Sequence, residues 1–308
     1  MAASADSVSR DSVDSLSAQY SRVRELSVSF TGTLAPEDTV VQSMPDVSPT
    51  KWHLAHVTWF FERFVLEAFV PDYRRLDDDY DYLFNSYYYT AGQMHARPRR
   101  GLLSRPTLAQ VFDYRAHVDE HMLRLLDERS DDAELAAVVT LGLNHEQQHQ
   151  ELLLTDIKHV LAQNPLQPAF DPGLPLAPSR PVDTYGFENG VSGVYPVGAS
   201  GEDFHFDNET PRHDALLHEH RIGKRLVTNG EFREFVTGGG YAESTLWLSD
   251  GWAVVNQEGW DRPLYWSEDL ASEFTLGGIR AMDDNAPVTH VSFYEADAYA
   301  RWAGARLP

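Results

Sequence analysis

The chain has 308 residues, 42% of them hydrophobic and 12% aromatic, with a net charge of −22. That length and composition suit a globular protein of two ordinary domains, and so acidic a surface disfavours nucleic acid or anionic membrane as a partner. Cysteine is absent, which excludes disulfides, zinc–thiolate sites, iron–sulfur clusters and a cysteine nucleophile.

The opening residues lack the basic-then-apolar profile of a signal peptide, and no run reaches the roughly 20 apolar residues that span a bilayer. A soluble, cytoplasmic protein is therefore expected. From Ser7 to Phe30, apolar residues recur in steps of three and four at Val13, Leu16, Tyr20, Val23, Leu26 and Phe30, which predicts an amphipathic helix. After a loop with Pro36 and Pro45, Ser48-Pro49 reads as an N-cap followed by the first helical position. The helix it opens is expected to reach about Val70, with Trp52, His56, Trp59 and Phe60 on one face. A histidine in an aromatic inward stripe needs a polar partner. A hydrogen-bonded core role and metal ligation both supply one, and the residues leave the two open.

The segment from Pro71 to Pro106 is long for a connection and is expected to carry function. An aromatic cluster, Tyr80 to Tyr89, is followed by His95, Arg97, Arg99, Arg100 and Arg105. These cations are either solvated loop charge or a dock for a carboxylate, which the guanidinium fork matches. Thr107 to Gln110 has capping-box form and opens a third helix to about Glu128. Within it His117 and His121, flanked by Asp119, Glu120 and Arg124, read as a surface pair. A fourth helix, about Asp132 to Leu161, carries Asn144-His145-Glu146-Gln147-Gln148-His149. Histidines four apart on a helix share a face, the spacing of paired metal ligands. Inward histidines on the second and fourth helices make a bundle with a metal site in its core.

Residues 163–183 are proline-dense and read as a linker. From Thr184 the texture changes to glycine, aromatic residues and short β-prone runs at Gly193–Gly198, His220–Thr228 and Val288–Phe293. Short helices are expected at Asn229–Phe235 and Tyr294–Ala303, giving a loop-rich α+β domain over 184–308.

His145-Glu146-Gln147-Gln148-His149 fits the HExxH pattern of zinc metalloproteases, in which Glu146 would be the general base. The extended motif places glycine and histidine where this chain has Leu152 and Thr155. The other reading takes His56 as third ligand. Three imidazoles from two helices leave positions open for substrate and dioxygen and suit iron(II) as well as zinc.

Ser48-Pro-Thr-Lys-Trp-His-Leu-Ala-His56-Val-Thr-Trp-Phe-Phe-Glu62, Phe84-Asn-Ser-Tyr-Tyr88, Arg97-Pro-Arg-Arg-Gly-Leu-Leu-Ser-Arg-Pro106 and Asn144-His-Glu-Gln-Gln-His-Gln-Glu-Leu152 together resemble the ergothioneine-biosynthesis sulfoxide synthases, or hercynine oxygenases. Phe206-Asp-Asn-Glu-Thr-Pro-Arg-His213, Val227-Thr-Asn-Gly-Glu-Phe-Arg-Glu-Phe235, Gly240-Tyr241 with Trp247 and Gly251-Trp252, and the stretch from Pro287 to Pro308 resemble the formylglycine-generating-enzyme-like domain those proteins carry. The resemblance is colinear over essentially the whole chain. It implies a DinB-like four-helix bundle over 7–162, then a C-type-lectin-like α+β domain, with the active site between them. It further implies iron(II) on His56, His145 and His149, dioxygen as co-substrate, and sulfoxide formation joining a thiol to C2 of hercynine. By position, Gln148 would bond the hercynine imidazole, and Arg97 and Arg100 the carboxylate of the thiol. The FNSYY and RGLLSRPT wording is closer to the branch that accepts cysteine than to the γ-glutamylcysteine branch.

The family pattern continues past Arg306-Leu-Pro308, where its catalytic tyrosine and the Asn and Trp of the hercynine pocket lie. A truncated chain that binds metal but turns over poorly is therefore expected. Three readings follow: an iron-dependent sulfoxide synthase, a zinc hydrolase or thiol transferase on a similar bundle, and a non-catalytic metal-binding remnant.

Overall fold

A computed structural model describes residues 15–86, 92–201 and 203–308. The chain divides into two compact units, Met1–Gln163 and Asn164–Pro308. Among the described residues no helix is long and apolar enough to cross a membrane.

The first unit is built on four long helices: α1 (Leu16–Ser29), α2 (Thr50–Phe61), α5 (Leu108–Glu128) and α6 (Ala133–Gln163). Ser15 caps α1, its hydroxyl accepting from the Ala18 amide at 3.2 Å; the stretch 7–14 of the expected helix lies outside the described residues. All of α2 is buried, as befits a helix that packs against both α5 and α6 and is apolar on nearly every side. Ser48 does not cap it. Helix α2 begins at Thr50 with Pro49 in the cap position, because the Ser48 hydroxyl accepts from Arg100 Nη1 at 2.9 Å. After Phe61 the helix widens into a π-turn, Glu62–Leu66, and closes with α3 (Glu67–Phe69). Thr107 and Gln110 form the expected capping box at the start of α5. Asp132 caps α6 by accepting from the amides of Glu134 and Leu135, both at 3.0 Å. Between α3 and α5 run α4 (Tyr80–Phe84) and a 3-10 turn, Arg97–Leu102.

The second unit is α+β, its described residues forming three two-stranded antiparallel ladders in place of one broad sheet. Strand β1 (Phe187–Asn189) pairs with β4 (Arg221–Gly223), β2 (Gly193–Val197) with β3 (His213–Leu217), and β5 (Ser272–Thr275) with β6 (Gly278–Ala281). The β-prone run Val288–Phe293 forms no ladder; Thr228 and Pro287 share an isolated bridge, and Phe293 already opens a helix. The helices are α7 (Asn229–Thr237), α8 (Ser249–Glu258) and α9 (Phe293–Trp302). Helices α7 and α9 begin with capping boxes, Thr228 with Glu231 and Ser292 with Glu295. Phe232, Phe235, Tyr241, Trp247, Val255, Trp266 and Ala298 form the core. Close approach explains two glycines of the motifs: a Cβ at Gly240 would lie 2.1 Å from the Phe235 ring, and one at Gly251 would lie 2.7 Å from Tyr294.

Candidate metal centre

His56 from α2 meets His145 and His149 from α6, and one ring nitrogen of each lies within 4.8 Å of the others. What brings the helices so close is Gly142, one turn before His145: a Cβ there would sit 2.6 Å from the Phe61 ring and 2.8 Å from that of Phe60. His56 stands between two indoles on its own helix, stacked on Trp52 at 4.7 Å and on Trp59 at 5.6 Å. Those indoles are themselves fixed, Trp52 Nε1 donating to the Leu83 carbonyl at 3.1 Å and Trp59 Nε1 to Asp81 at 2.7 Å.

The chemistry of the cluster is that of a ligand set. Burial, reinforced by the neighbouring imidazoles, holds His56 and His149 well below the ordinary histidine range. Burial brings His145 down to about 4 against the upward pull of Glu146. All three rings are therefore neutral near pH 7, the form that binds a cation. His56 Nδ1 lies 2.6 Å from the Phe84 carbonyl; a carbonyl only accepts, so Nδ1 carries the proton and Nε2 is left with its lone pair. Among the described residues, the buried His145 Nδ1 has no hydrogen-bond partner, a cost that coordination or a bound group would relieve. The residues fit a divalent metal.

Glu146 points away from this cluster into the bundle. One carboxylate oxygen accepts from Arg24 Nη1 at 2.9 Å; the other accepts from Ser27 Oγ at 2.6 Å and Arg115 Nη2 at 3.0 Å. Burial alone would raise its pKa, but the two guanidiniums outweigh it and hold the carboxyl below its usual range. Arg24 extends the network to Asp119 at 2.7 Å and to the Thr58 hydroxyl at 3.0 Å, so α1, α2, α5 and α6 share one buried hub. A glutamate with both oxygens engaged by cations and a hydroxyl is not poised as a general base.

The other expected site residues are scattered. Arg100 is 4% exposed; it donates to Ser48 and Ser86, both at 2.9 Å, and its guanidinium lies 3.3 Å from the centre of the Trp52 ring. Its charge contributes to lowering His56 and His149. Arg97 donates to the Asp46 carbonyl, while Arg99 and Arg105 are exposed, so the basic stretch is not one cluster. Gln148 is exposed on α6. His117 and His121 are half-buried against the Tyr73 ring and stand apart from the triad; His159 instead bonds Ser43 at 2.6 Å. Of the FNSYY stretch, Tyr87 and Tyr88 lie outside the described residues, as does Tyr89 at the end of the aromatic cluster.

Two residues that the sequence reading passed over complete the site. His53, three before His56 on α2, sets its Nδ1 2.9 Å from His149 Nδ1 and its Nε2 3.0 Å from Asp156 Oδ2. The signal was legible as a second histidine one turn before His56 and an aspartate two turns after His149.

Comparison with known proteins agrees with the division into a helical and an α+β unit. Residues 19–159 match the DinB superfamily and residues 191–308 the sulfatase-modifying factor enzyme 1-like domain. The chain is 34% identical over 270 residues to a hercynine oxygenase of Mycolicibacterium smegmatis, a match that covers 87% of this chain and 60% of the relative. It is 33% identical over 277 residues to that of Mycolicibacterium thermoresistibile, over 86% of this chain and 57% of the relative. A formylglycine-generating enzyme of Streptomyces coelicolor matches at 34% over 164 residues, 46% of this chain and 48% of that protein. The chain thus spans about 60% of the length of the hercynine oxygenases it matches. A DinB-type bundle with three gathered histidines, joined to a sulfatase-modifying-factor-like α+β unit, makes this chain a homologue of the hercynine oxygenases.

Proposed function

We propose that this chain is an iron(II)- and dioxygen-dependent hercynine oxygenase of ergothioneine biosynthesis, joining a thiol, cysteine or γ-glutamylcysteine, to C2 of hercynine with sulfoxide formation. The observation that carries the reading is the gathering of three neutral imidazoles from two helices within 4.8 Å, in a chain homologous to such enzymes. When bound, iron(II) supplies redox chemistry and coordination positions that three protein ligands leave open. In the overall balance the thiol S–H and the C2–H are lost, one oxygen atom becomes the sulfoxide oxygen, and the other leaves as water.

The chain's own residues would bind and orient. His56, His145 and His149 would hold the metal through neutral nitrogens. Arg100, buried beside Trp52, and Arg97 would take the carboxylate of the thiol substrate as charge-assisted donors. Gln148, three residues after His145 and on the same face, would donate to or accept from the hercynine imidazole. The indoles on both sides of His56 would exclude water from that ligand. The chain spans about 60% of the length of the Mycolicibacterium smegmatis relative, and the roles proposed for its residues are metal and substrate binding.

A zinc hydrolase or transferase using Glu146 as base is disfavoured, since both oxygens of that carboxylate are engaged in the buried network. The test is metal analysis of protein purified without air, followed by oxygen uptake with hercynine and cysteine. Iron binding lost in His56→Ala, with uptake that needs both substrates, supports the proposal. Zinc retained through that substitution, with no uptake, overturns it.

A further inference from the structure

The three histidines are not held alike. His56 is oriented by a main-chain carbonyl, and His145 Nδ1 has no hydrogen-bond partner among the described residues. Among the described residues, His149 is the ligand whose ring is hydrogen-bonded by another side chain, His53, and through it Asp156. Donor and acceptor roles along that line follow from the end that cannot vary. The Asp156 carboxylate only accepts, and its Oδ2 also receives the Ser48 amide at 2.8 Å, which pins it at the start of α2. His53 Nε2, 3.0 Å away, must therefore carry a hydrogen. In neutral His53 that leaves Nδ1 as a bare acceptor, and the 2.9 Å contact to His149 Nδ1 closes only if His149 Nδ1 donates. His149 Nε2 is then the nitrogen with a free lone pair.

We propose that Asp156 and His53 form a positioning relay that fixes the Nδ1–H tautomer and the ring orientation of His149, presenting its Nε2 to the metal. The inference rests on reading the triad as a metal centre and adds two residues that act through a ligand without touching the ion. Its geometry is economical. Asp156 lies seven residues after His149, two turns along the same face of α6, while His53 and His56 are three apart on α2. The relay thus ties the same two helices that supply the ligands. A carboxylate behind an imidazole also raises the basicity of the ring it serves, and loss of such an outer partner commonly costs about 10- to 100-fold in metal affinity.

Two measurements on the full chain test the relay. In metal-free protein labelled with nitrogen-15, long-range proton–nitrogen correlation reads the tautomers directly. The relay requires hydrogen on His149 Nδ1 and on His53 Nε2; a His149 ring with its hydrogen on Nε2 overturns it whether or not metal binds. In competition with a chromophoric chelator for zinc or cobalt(II), His53→Leu should weaken binding about 10- to 100-fold. His53→Asn, whose side-chain oxygen can stand near Nδ1 and accept from His149, should recover most of that loss. In a His149→Ala background, His53→Leu should cost nothing further. Equal losses for Leu and Asn, or additive losses with His149→Ala, would reduce His53 to a packing residue. Failure of the wild-type chain to bind metal at all would instead sink the proposed metal centre and leave the tautomer result standing.

Discussion

Replacing Glu146 with glutamine asks whether this residue serves chemistry or the fold. The carboxylate is 1% exposed and lies between Arg24 and Arg115, which are 3% and 2% exposed. Glutamine keeps one acceptor oxygen but turns an NH2 group toward donors on one side, leaving two buried guanidiniums with Asp119 as the remaining carboxylate partner in the network. Removing one member of a buried ion network typically costs about 3–5 kcal/mol, because it strands uncompensated charge. That is a large part of the roughly 5–15 kcal/mol that holds a domain together. The expected outcome for Glu146→Gln is a bundle destabilised by about 3–5 kcal/mol, read from denaturant unfolding followed by hydrogen exchange at α1 and α6 amides so that the second unit does not mask it. The same network adds a pH dependence. The folded carboxyl titrates below its unfolded range, so its contribution is present at pH values above that range and is lost as pH falls through the folded pKa. A Glu146→Gln protein with wild-type stability, and activity abolished in a fully folded chain, would refute this and restore the general-base role.

Metal-free protein should lose stability as pH falls from about 6.5 toward 4: His145 titrates near 4 when folded and near 6.5 when unfolded, so the unfolded chain takes up more protons across that window. Thermal melts across it in the presence of chelator should show the decline, and added metal should oppose it. Gly142→Ala should destabilise the bundle by about 1–3 kcal/mol despite the helix propensity of alanine, because the methyl would meet Phe61 and Phe60. A raised melting temperature would contradict the close approach of α2 and α6. His117→Ala with His121→Ala should leave metal stoichiometry unchanged, a control that equilibrium dialysis reads directly.

The bundle was legible because its helices announce themselves locally. The Thr107–Gln110 capping box, the apolar periodicity of α1 and the four-residue spacing of His145 and His149 are each short-range signals. His56 needed the aromatic face of α2 as well, since nothing local separates a ligand from a hydrogen-bonded core histidine. What the sequence hid depends on contacts far apart along the chain. Ser48 looked like a cap until Arg100 claimed its hydroxyl. Glu146 read as part of a zinc motif, while its partners Arg24 and Arg115 lie on two other helices. His53 showed its spacing from His56, but its pairing with Asp156 on another helix is a contact between residues far apart in the chain. In the second unit the motif glycines Gly240 and Gly251 are spoken for by aromatic packing, so those motifs mark a core as much as a site.

On the proposed function, His56, distant in sequence from the HExxH pair, would be the third ligand of one iron centre. Chain purified without air, loaded with iron(II) and desalted, should carry one iron per chain by elemental analysis. His56→Ala and His149→Ala should each bring that value near zero while far-ultraviolet circular dichroism stays that of a helical bundle. Iron or zinc retained at full stoichiometry in folded His56→Ala would contradict the claim and return the metal to the His145 and His149 pair alone.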